Sequence, residues 1–495
     1  MSTTETQPGT PDIDPSAAQF ADGNEFMRAG RFAEAAAAYR RSLALNRAAP
    51  RTHNNLAVAL AEQGRYGSAL AHYREAIRLD PDYAPTHYNF ANACRALAKY
   101  VEAITAYERA LTLAPGWAGA LLNCGLALAA LGQQAAAEGY YRSALARQPD
   151  YPEAHNNLGL ALQLQGRLDE AMQHFDRALE LAPVFSNAHT NRAQLRMLLG
   201  DFEQGWAEYE WRWRLAGVAL RTLPIPHWDG SRLDGRTLLI RAEQGFGDTI
   251  QFVRFAARLE QAGIKVFLEC QPALTSLLSR APGVRQAFAR GLPLPECAAQ
   301  IPLASLPRAL GITDPAAETM DAHYLQPDPK LQAQWREKLA LTGSLHIGIA
   351  WKGSSGHPQD CHRSIAPAHF AALAAVPGVK LVSLQPGERP PAALQALEPL
   401  AQPGEQAFSF EDTAAIIGNL DLVVTCDTAV AHLAGALGVP VWIALPLIPD
   451  WRWRLARDDS AWYPSARLFR QTQLDEWPDV FQRIAAALPD FAGKR

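Results

Sequence analysis

The stretch PEAHNNLGLALQLQGRLDEAMQHFDRALELAPVF, residues 152–185, is one complete copy of a pattern that returns every 34 residues in the first part of the chain. Prolines close successive copies at Pro81, Pro115, Pro149 and Pro183, and a small residue recurs at Ala76, Ala110, Ala144 and Ala178. Glycine recurs at Gly30, Gly64, Gly132, Gly166 and Gly200, with Ala98 in the one exception. A fixed period of this length indicates a stack of identical supersecondary units.

Each unit is expected to contain two helices. The glycine allows a left-handed turn between them, and the proline stops the second helix. A core aromatic recurs at Tyr39, Tyr73, Tyr107, Tyr141, Phe175 and Tyr209. This combination resembles the tetratricopeptide repeat, and about six copies span residues 16–219. Stacked units of this kind form an α-solenoid with a groove that holds peptides or proteins.

An asparagine also returns with the same period, on the expected first helix of five units: Asn55, Asn89, Asn123, Asn157 and Asn191. We expect these side chains to form a ladder along the groove, where amide groups can hold the backbone of an extended protein acceptor. The alternative is that asparagine is an ordinary structural residue of such repeats.

The composition excludes several classes of protein. The 495 residues carry a net charge of −4, so no general affinity for nucleic acid or anionic membranes is expected. No apolar run is long enough to span a membrane, and the polar residues 1–15, expected to be disordered, show no secretory signal. Six scattered cysteines without a CxxC pair favour a reducing cytoplasm and no structural zinc.

The pattern changes after the last repeat, which ends in a cluster of tryptophans that suggests docking on another domain. A turn-rich connector at 222–235 precedes short apolar runs that alternate with helical stretches. The expected strands are 237–241, 266–269, 346–351, 380–385, 421–426 and 440–445. Such alternation predicts parallel sheets in two Rossmann-like lobes, 220–330 and 331–495, the second with a C-terminal helix. Ligands bind such sheets beyond the carboxyl ends of the strands.

The first lobe places Gly245, Gly247 and Asp248 in the turn after its first strand. The glycines expose backbone N–H groups, and Asp248 is expected to face a cleft between the lobes. The alternative is a simple helix cap, for which aspartate is favoured. GFGDTI lacks the third glycine of a dinucleotide-binding fingerprint.

The second lobe carries the stronger signal, in the turn and helix that follow the strand at 421–426. Asp427, Thr428 and Ala429 open a helix whose free N–H groups suit a phosphate, and His432 follows one turn later. The alternative makes Asp427 and Thr428 caps and His432 a packed core residue.

Two further segments are expected at the same cleft. The glycine-rich loop after the strand at 346–351 carries Lys352 and Arg363, which can counter the charge of a leaving diphosphate, unless the loop is only mobile surface. The run PDWRWR at 449–454 offers Arg452 to an anion and its tryptophans to a base or sugar. A hydrophobic latch between domains is the alternative for this run.

The pairing of GFGD with DTAVAHLAGALG resembles the heptosyltransferase-like glycosyltransferases of family 9, which have the two-lobed GT-B fold. With the WRWR and DWRWR runs and the WYPSARLFRQ tail, residues 200–485 resemble bacterial proteins that join tetratricopeptide repeats to such a domain. The architecture is also similar to that of O-linked N-acetylglucosamine transferases and flagellin glycosyltransferases. The resemblance implies sugar transfer from a nucleotide sugar without a metal or cofactor and with inversion.

The resemblance also implies roles for particular residues. Asp248 matches the proposed general base, and Gly245 and Gly247 form its turn. Asp427, Thr428, Ala429 and His432 match the donor-side segment, and Lys352 or Arg363 stands for the basic residue near the phosphates. Two departures from the heptosyltransferases, Ala429 in place of glycine and no Trp-Pro pair after the basic residue, leave heptose and lipid A core unsupported as substrates.

Three functions remain open from the sequence. The first is an enzyme that glycosylates a protein held by the repeats. The second is a saccharide glycosyltransferase whose repeats recruit a partner. The third is a scaffold whose α/β domain is inactive. Presence of Asp248, Arg363, Asp427, Thr428 and His432 together argues against the third.

Overall fold

The computed structural model describes residues 14–215, 221–315, 323–339, 343, 345–353, 360–385, 409–474 and 476–493. Packing divides the chain into two compact units that meet in sequence between Leu162 and Gln163. The last helices of the repeat array therefore group with the α/β domain in packing. The predicted disorder of residues 1–15 falls mainly on 1–13, which lie outside the described residues, and the first helix begins at Pro15.

A helical solenoid forms the first part of the chain, as the 34-residue period predicts. Twelve described helices make six consecutive pairs: α1 Pro15–Arg28, α2 Phe32–Leu45, α3 Pro50–Glu62, α4 Tyr66–Leu79, α5 Ala84–Ala96, α6 Tyr100–Leu113, α7 Ala118–Ala130, α8 Gln134–Arg147, α9 Pro152–Leu164, α10 Leu168–Leu181, α11 Ser186–Leu199 and α12 Phe202–Tyr209. The turn glycines all have positive φ, and Ala98 adopts the same left-handed conformation at φ 56°. The period therefore specifies backbone geometry even where the glycine is absent.

The second part of the chain contains two parallel sheets. The first has the order β3-β2-β1-β4, from β1 Thr237–Arg241, β2 Lys265–Cys270, β3 Val284–Ala289 and β4 Ala299–Pro302. The second has the order β6-β5-β7-β8-β9, from β5 Leu345–Ala350, β6 Val379–Ser383, β7 Leu422–Thr425, β8 Val441–Leu445 and β9 Ala466–Arg470. All described strand pairings within these two sheets are parallel, so the carboxyl ends of all the strands in a sheet lie on the same side of it.

Helices connect and cover these strands. Their bounds are α13 Phe246–Phe252, α14 Phe255–Gln261, α15 Thr275–Leu278, α16 Leu306–Ala309, α17 Pro329–Leu339, α18 Asp360–Arg363, α19 Ala371–Ala374, α20 Phe410–Ile417, α21 Ala429–Ala436 and α22 Trp477–Ala492. The C-terminal helix α22 was predicted, and it buries Phe481, Ile484 and Leu488 in the core of the second lobe. All six predicted strands are present, with ends shifted by at most one or two residues. Strands β3, β4 and β9 were not predicted from the sequence.

The last repeat packs on the α/β domain, as its tryptophans suggested. The Trp206 ring lies 5.1 Å from Trp451 and 6.1 Å from Phe252, centroid to centroid. Buried Arg212, which stands where the second to fifth repeats have alanine, donates to Glu243 Oε1 at 3.0 Å and to Ser305 Oγ at 2.7 Å. An aromatic cluster and a buried ion pair thus connect the end of the repeat array to both lobes.

Candidate functional site

A cavity of about 750 Å³ lies between the two lobes of the α/β domain. Every residue predicted for the catalytic and donor sites lines it: Gly245, Gly247, Asp248, Lys352, Arg363, Asp427, Thr428, Ala429, His432 and Arg452. These residues follow strands β1, β5, β7 and β8, so the carboxyl ends of both sheets face the same space. Segments that are far apart in sequence therefore converge where parallel sheets bind ligands.

The first-lobe turn holds Asp248 at the start of α13. One carboxylate oxygen, Oδ2, accepts a hydrogen bond from the Gly245 backbone N–H at 2.9 Å. The other, Oδ1, forms an ion pair with the Arg452 guanidinium from the opposite lobe. Asp248 is thus both a helix cap and a residue that contacts the second lobe across the cavity.

Gly247 allows α13 and α21 to approach each other closely. A Cβ atom at this position would lie 2.6 Å from Cδ2 and 3.2 Å from Nε2 of His432. These separations are shorter than normal contacts, so any side chain at 247 would displace the imidazole. Glycine is required here by the approach of His432 rather than by backbone conformation.

Arg452 is the central cation of the cavity. Its Nη1 donates to Asp450 Oδ1 at 2.8 Å, and its Nε donates to Gln251 Oε1 at 2.6 Å. With the Asp248 pair, these contacts engage the buried guanidinium at all three nitrogens and link the two lobes. Arg452 was predicted to lie at the cavity, whereas Asp450, in the same PDWRWR run, was not.

Two titratable groups on the α21 side have displaced pKa values. Burial, followed by repulsion from Asp450, raises the pKa of Asp427 to about 6. Burial, followed by the positive charges of Arg452, Arg254 and Arg363, holds the pKa of His432 well below its usual value. His432 is therefore neutral at physiological pH, with Nε2 at 4.0 Å from Asp427 Oδ1. Displaced pKa values in a cleft are typical of functional sites.

Thr428 and Ala429 begin α21. The Thr428 hydroxyl accepts a hydrogen bond from the Val430 N–H at 3.3 Å and lies 3.2 Å from the Thr425 hydroxyl. Thr428 therefore caps the helix, which was the alternative to ligand binding in the sequence analysis. Both residues nonetheless line the cavity.

Lys352 and Arg363, the two cations of the loop after β5, have different environments. Lys352 is exposed, and its backbone N–H donates to Gln385 Oε1 at 3.0 Å. Arg363 contacts Asp360 Oδ1 at 3.3 Å and donates to the backbone oxygen of Asp427 at 3.3 Å. Arg363 is thus fixed beside the start of α21. Residues 354–359 of the loop lie outside the described residues.

The tryptophans of the DWRWR run form a latch rather than a stacking surface for a ligand. Trp451 and Trp453 are 2% and 0% exposed. Trp451 packs against Trp206, and Trp453 stacks on His432 with ring centroids 5.5 Å apart. The suggestion that they stack on a base or sugar is therefore wrong in this structure, because neither ring has a free face.

Several residues that line the cavity were not predicted from the sequence. Phe246 and Phe410 meet at the cavity wall with ring centroids 4.7 Å apart, and Gln271 and Thr413 also line it. Gln271 follows β2, so its place after a strand was the one available signal. Phe410 and Thr413 lie on α20 and reach the cavity only through the packing of the second lobe.

The predicted asparagine ladder lies on the first helices of the repeats, as expected. Its members hydrogen-bond across neighbouring repeats: Asn55 to Asn24 at 2.9 Å, Asn89 to Asn54 at 3.2 Å, and Asn123 to Asn92 at 3.1 Å. Asn157 accepts from Asn156 at 3.4 Å, and Asn191 lies on α11 in the second unit. All five are partly exposed. The side chains therefore stabilise the stack as well as facing solvent.

Within the described ranges, no three or more His, Cys, Asp or Glu side chains are grouped to hold a metal ion. None of the helices described is both long and apolar enough to cross a membrane.

Models of the tetratricopeptide repeat match residues 20–84, 60–122 and 152–185. Protein FlbA of Caulobacter vibrioides is 28% identical over 316 residues, which cover 58% of this chain and 52% of FlbA. The chain thus spans about half the length of this curated relative.

Two solved structures are also similar to parts of the chain. A thermophilic tetratricopeptide protein of Thermus thermophilus is 26% identical, covers 36% of this chain and 98% of its own, and has a TM-score of 0.31. Pseudomonas aeruginosa pilF is 19% identical, with 41% and 93% covered and a TM-score of 0.37. The tetratricopeptide repeats of this chain form a protein-interaction scaffold.

Proposed function

We propose that this chain is a glycosyltransferase that moves a sugar from a nucleotide-sugar donor to a hydroxyl group of a protein acceptor. The two parallel-sheet lobes would then have the GT-B arrangement. The observation that carries the proposal is the convergence of all ten residues predicted for catalysis and donor binding on one cavity at the carboxyl ends of both sheets.

The charges of the cavity suit a phosphorylated donor. Lys352 and Arg363 line the wall near the start of α21 and can stabilise a leaving diphosphate. The neutral Asp427 that predominates below pH 6 reduces the negative charge that the donor meets. Neutral His432 adds a hydrogen-bonding group without competing for a proton.

Asp248 is the proposed general base. Its carboxylate would take the proton of the acceptor hydroxyl as that oxygen bonds to the anomeric carbon of the sugar. The bond from this carbon to the phosphate oxygen breaks in the same step, and the nucleotide leaves with the bonding electrons. Arg452 holds Asp248 at the cavity wall and so supplies its orientation.

The repeats would select the acceptor. Tetratricopeptide arrays bind polypeptides, and the five ladder asparagines are partly exposed. A second candidate is a saccharide glycosyltransferase whose repeats recruit a partner protein. The hydrogen bonds from ladder residues to Asn24, Asn54 and Asn92 favour it, because they engage some of the amide groups that a peptide backbone would need.

Thermal unfolding of the full chain with a panel of nucleotide sugars tests the proposal. A donor at a hundredfold excess over its Kd should stabilise the fold by about 2.7 kcal/mol. Arg363→Met should lose most of this shift because it removes a cavity cation. Arg336→Met is the matched control, since Arg336 donates to Asn419 and does not line the cavity. Absence of a shift with every nucleotide sugar and free nucleotide would sink the proposal.

A further inference from the structure

The inner side of His432 makes a hydrogen bond that the proposed chemistry does not use. Its Nδ1 lies 2.9 Å from the hydroxyl oxygen of Tyr463. Tyr463 is 0% exposed, so water cannot serve its hydroxyl group. A buried hydroxyl proton without an acceptor costs free energy, so the bond between these two groups has a preferred direction.

Besides the Arg254 guanidinium, which can only donate, the Tyr324 hydroxyl also interacts with Tyr463. It accepts a hydrogen bond from Arg254 at 3.0 Å and donates its own proton to the Ile250 carbonyl at 2.9 Å. Because the Tyr324 oxygen is already engaged by a cationic donor, the unshared lone pair of His432 is the better acceptor for the Tyr463 proton.

The direction of this bond fixes the tautomer of His432. If Nδ1 carried the proton, it would donate to Tyr463, and the buried hydroxyl proton would lose its best acceptor. If Nδ1 accepts from Tyr463, both groups are satisfied. A neutral imidazole carries one proton, which then lies on Nε2.

Arg254 supports the same arrangement from behind. Its guanidinium lies 4.8 Å from the Tyr463 ring centroid and 4.5 Å from that of Tyr324. The positive charge of Arg254 also lowers the pKa of His432. A second positive charge on His432 is unfavourable beside this buried cation, so the imidazole stays neutral.

The outer side of the imidazole faces the cavity. Nε2 lies 4.0 Å from Asp427 Oδ1, beyond hydrogen-bond distance, and the ring edge lies beneath Gly247. An Nε2–H in this place has no protein acceptor within reach among the described residues around it, so it is available to a ligand oxygen. Tyr463 itself does not line the cavity.

We infer that Tyr463 is a positioning residue that holds His432 as the Nε2–H tautomer, so that a neutral N–H donor meets a phosphate oxygen of the bound nucleotide. The identity of that ligand rests on the proposed function. The tautomer itself does not, because it follows from the buried hydrogen bond to Tyr463 and the neutrality of the imidazole.

The tautomer can be measured in the full chain without any activity. Long-range ¹H–¹⁵N correlation spectra of histidine-labelled protein distinguish the two forms, and His432→Gln identifies the signals of His432. We expect the Nε2–H form in the unaltered chain and a mixture of tautomers in Tyr463→Phe. A dominant Nδ1–H form in the unaltered chain would overturn the inference whether or not the chain is a glycosyltransferase.

A matched pair of variants tests the consequence for binding. Tyr463→Phe and Tyr324→Phe each remove one buried hydroxyl beside Arg254, but only the first contacts His432. With uridine, guanosine and cytidine diphosphates and inorganic pyrophosphate as probes, Tyr463→Phe should raise the Kd of whichever probe binds about fivefold. Tyr324→Phe should leave both the Kd and the tautomer unchanged. Equal losses in the two variants would contradict positioning by Tyr463, whereas failure of all probes with the unaltered chain would contradict the proposed function and leave the tautomer result to decide.

Discussion

The repeat array and the cavity use polar side chains in opposite ways. In the array, Asn55, Asn89 and Asn123 lie 34 residues apart and hydrogen-bond to the preceding repeat. In the cavity, residues from distant segments converge on open space. The first arrangement is local and repeated, whereas the second exists only when both lobes have folded.

The pKa values of carboxyl groups also shift in opposite directions in the two regions. Exposed Glu34 in the first repeat pairs with Arg31, and this hydrogen bond lowers the pKa of Glu34. Largely buried Asp427 in the cavity has a raised pKa of about 6. The contrast teaches that carboxylates of the array are arranged to remain charged, whereas the cavity retains a carboxylate whose charge opposes folding. Residues that cost stability are typical of functional sites.

The largest contrast is expected from two glycine substitutions. Gly247→Ala should reduce sugar transfer about a hundredfold, because its Cβ would displace His432 and α13 from their positions. Gly139→Ala on α8 places a Cβ in open space and should stabilise the helix by about 0.5 to 1 kcal/mol without changing transfer. Steady-state rates with the identified donor and urea unfolding provide the comparison. Equal rates for the two variants would mean that His432 need not occupy its present position.

A smaller effect is expected in the pH dependence of stability. The pKa of Asp427 in the folded state is above its unfolded value of 3.8. Its favourable contribution to the free energy of unfolding is therefore fully present below pH 3.8 and is lost as the pH rises through about 6. Asp427→Asn should therefore gain on the order of 2 to 3 kcal/mol relative to the unaltered chain between pH 4 and 7. Urea unfolding followed by tryptophan fluorescence reports this change, because all tryptophans except Trp117 lie beyond Leu162.

Glu34→Gln supplies the control of opposite sign. The lowered pKa of Glu34 means that its contribution is present above the unfolded pKa and is lost as pH falls. A relative stability of Asp427→Asn that does not vary with pH would show that Asp427 ionises normally in the fold.

The smallest effect is expected at the ladder. Asn89→Ala removes the bond to Asn54 and should cost about 1 kcal/mol of stability. If the ladder also binds the acceptor, the KM for a protein acceptor should rise while kcat stays constant. Asn46→Ala is the control, because Asn46 is exposed and only accepts from the Ala48 N–H at the end of α2. Loss of stability with an unchanged KM would favour the partner-recruiting alternative.

The two regions also differ in how far the sequence predicts them. The period places the turn at Ala98 correctly because each repeat packs on its neighbours in the same way. Strands β1, β5, β7 and β8 were also predicted, because each is a short apolar run. The missed strands lack that signal: β3 has exposed Arg285 and Gln286, β4 is four residues long and ends in proline, and β9 alternates arginine with apolar residues.

Ten residues of the cavity could be predicted from the sequence, but their contacts could not. Position after a parallel strand was enough to place Asp248, Lys352 and Asp427 together. No local pattern could reveal that Arg452 pairs with Asp248 from 204 residues away, or that Trp453 covers His432. Such partners are set by the packing of one lobe against the other, which has no period in the sequence.

Sugar transfer by Asp248→Asn is the most direct measurement of the proposed chemistry. The full chain and the variant would be compared with a labelled donor and both a polypeptide and a saccharide acceptor, with Asp479→Asn on α22 as the control. We expect Asp248→Asn to bind the donor with unchanged Kd and to transfer at least about a hundredfold more slowly, while Asp479→Asn transfers normally. Normal transfer by Asp248→Asn, or no transfer by the unaltered chain to either acceptor when donor is bound, would contradict the proposal.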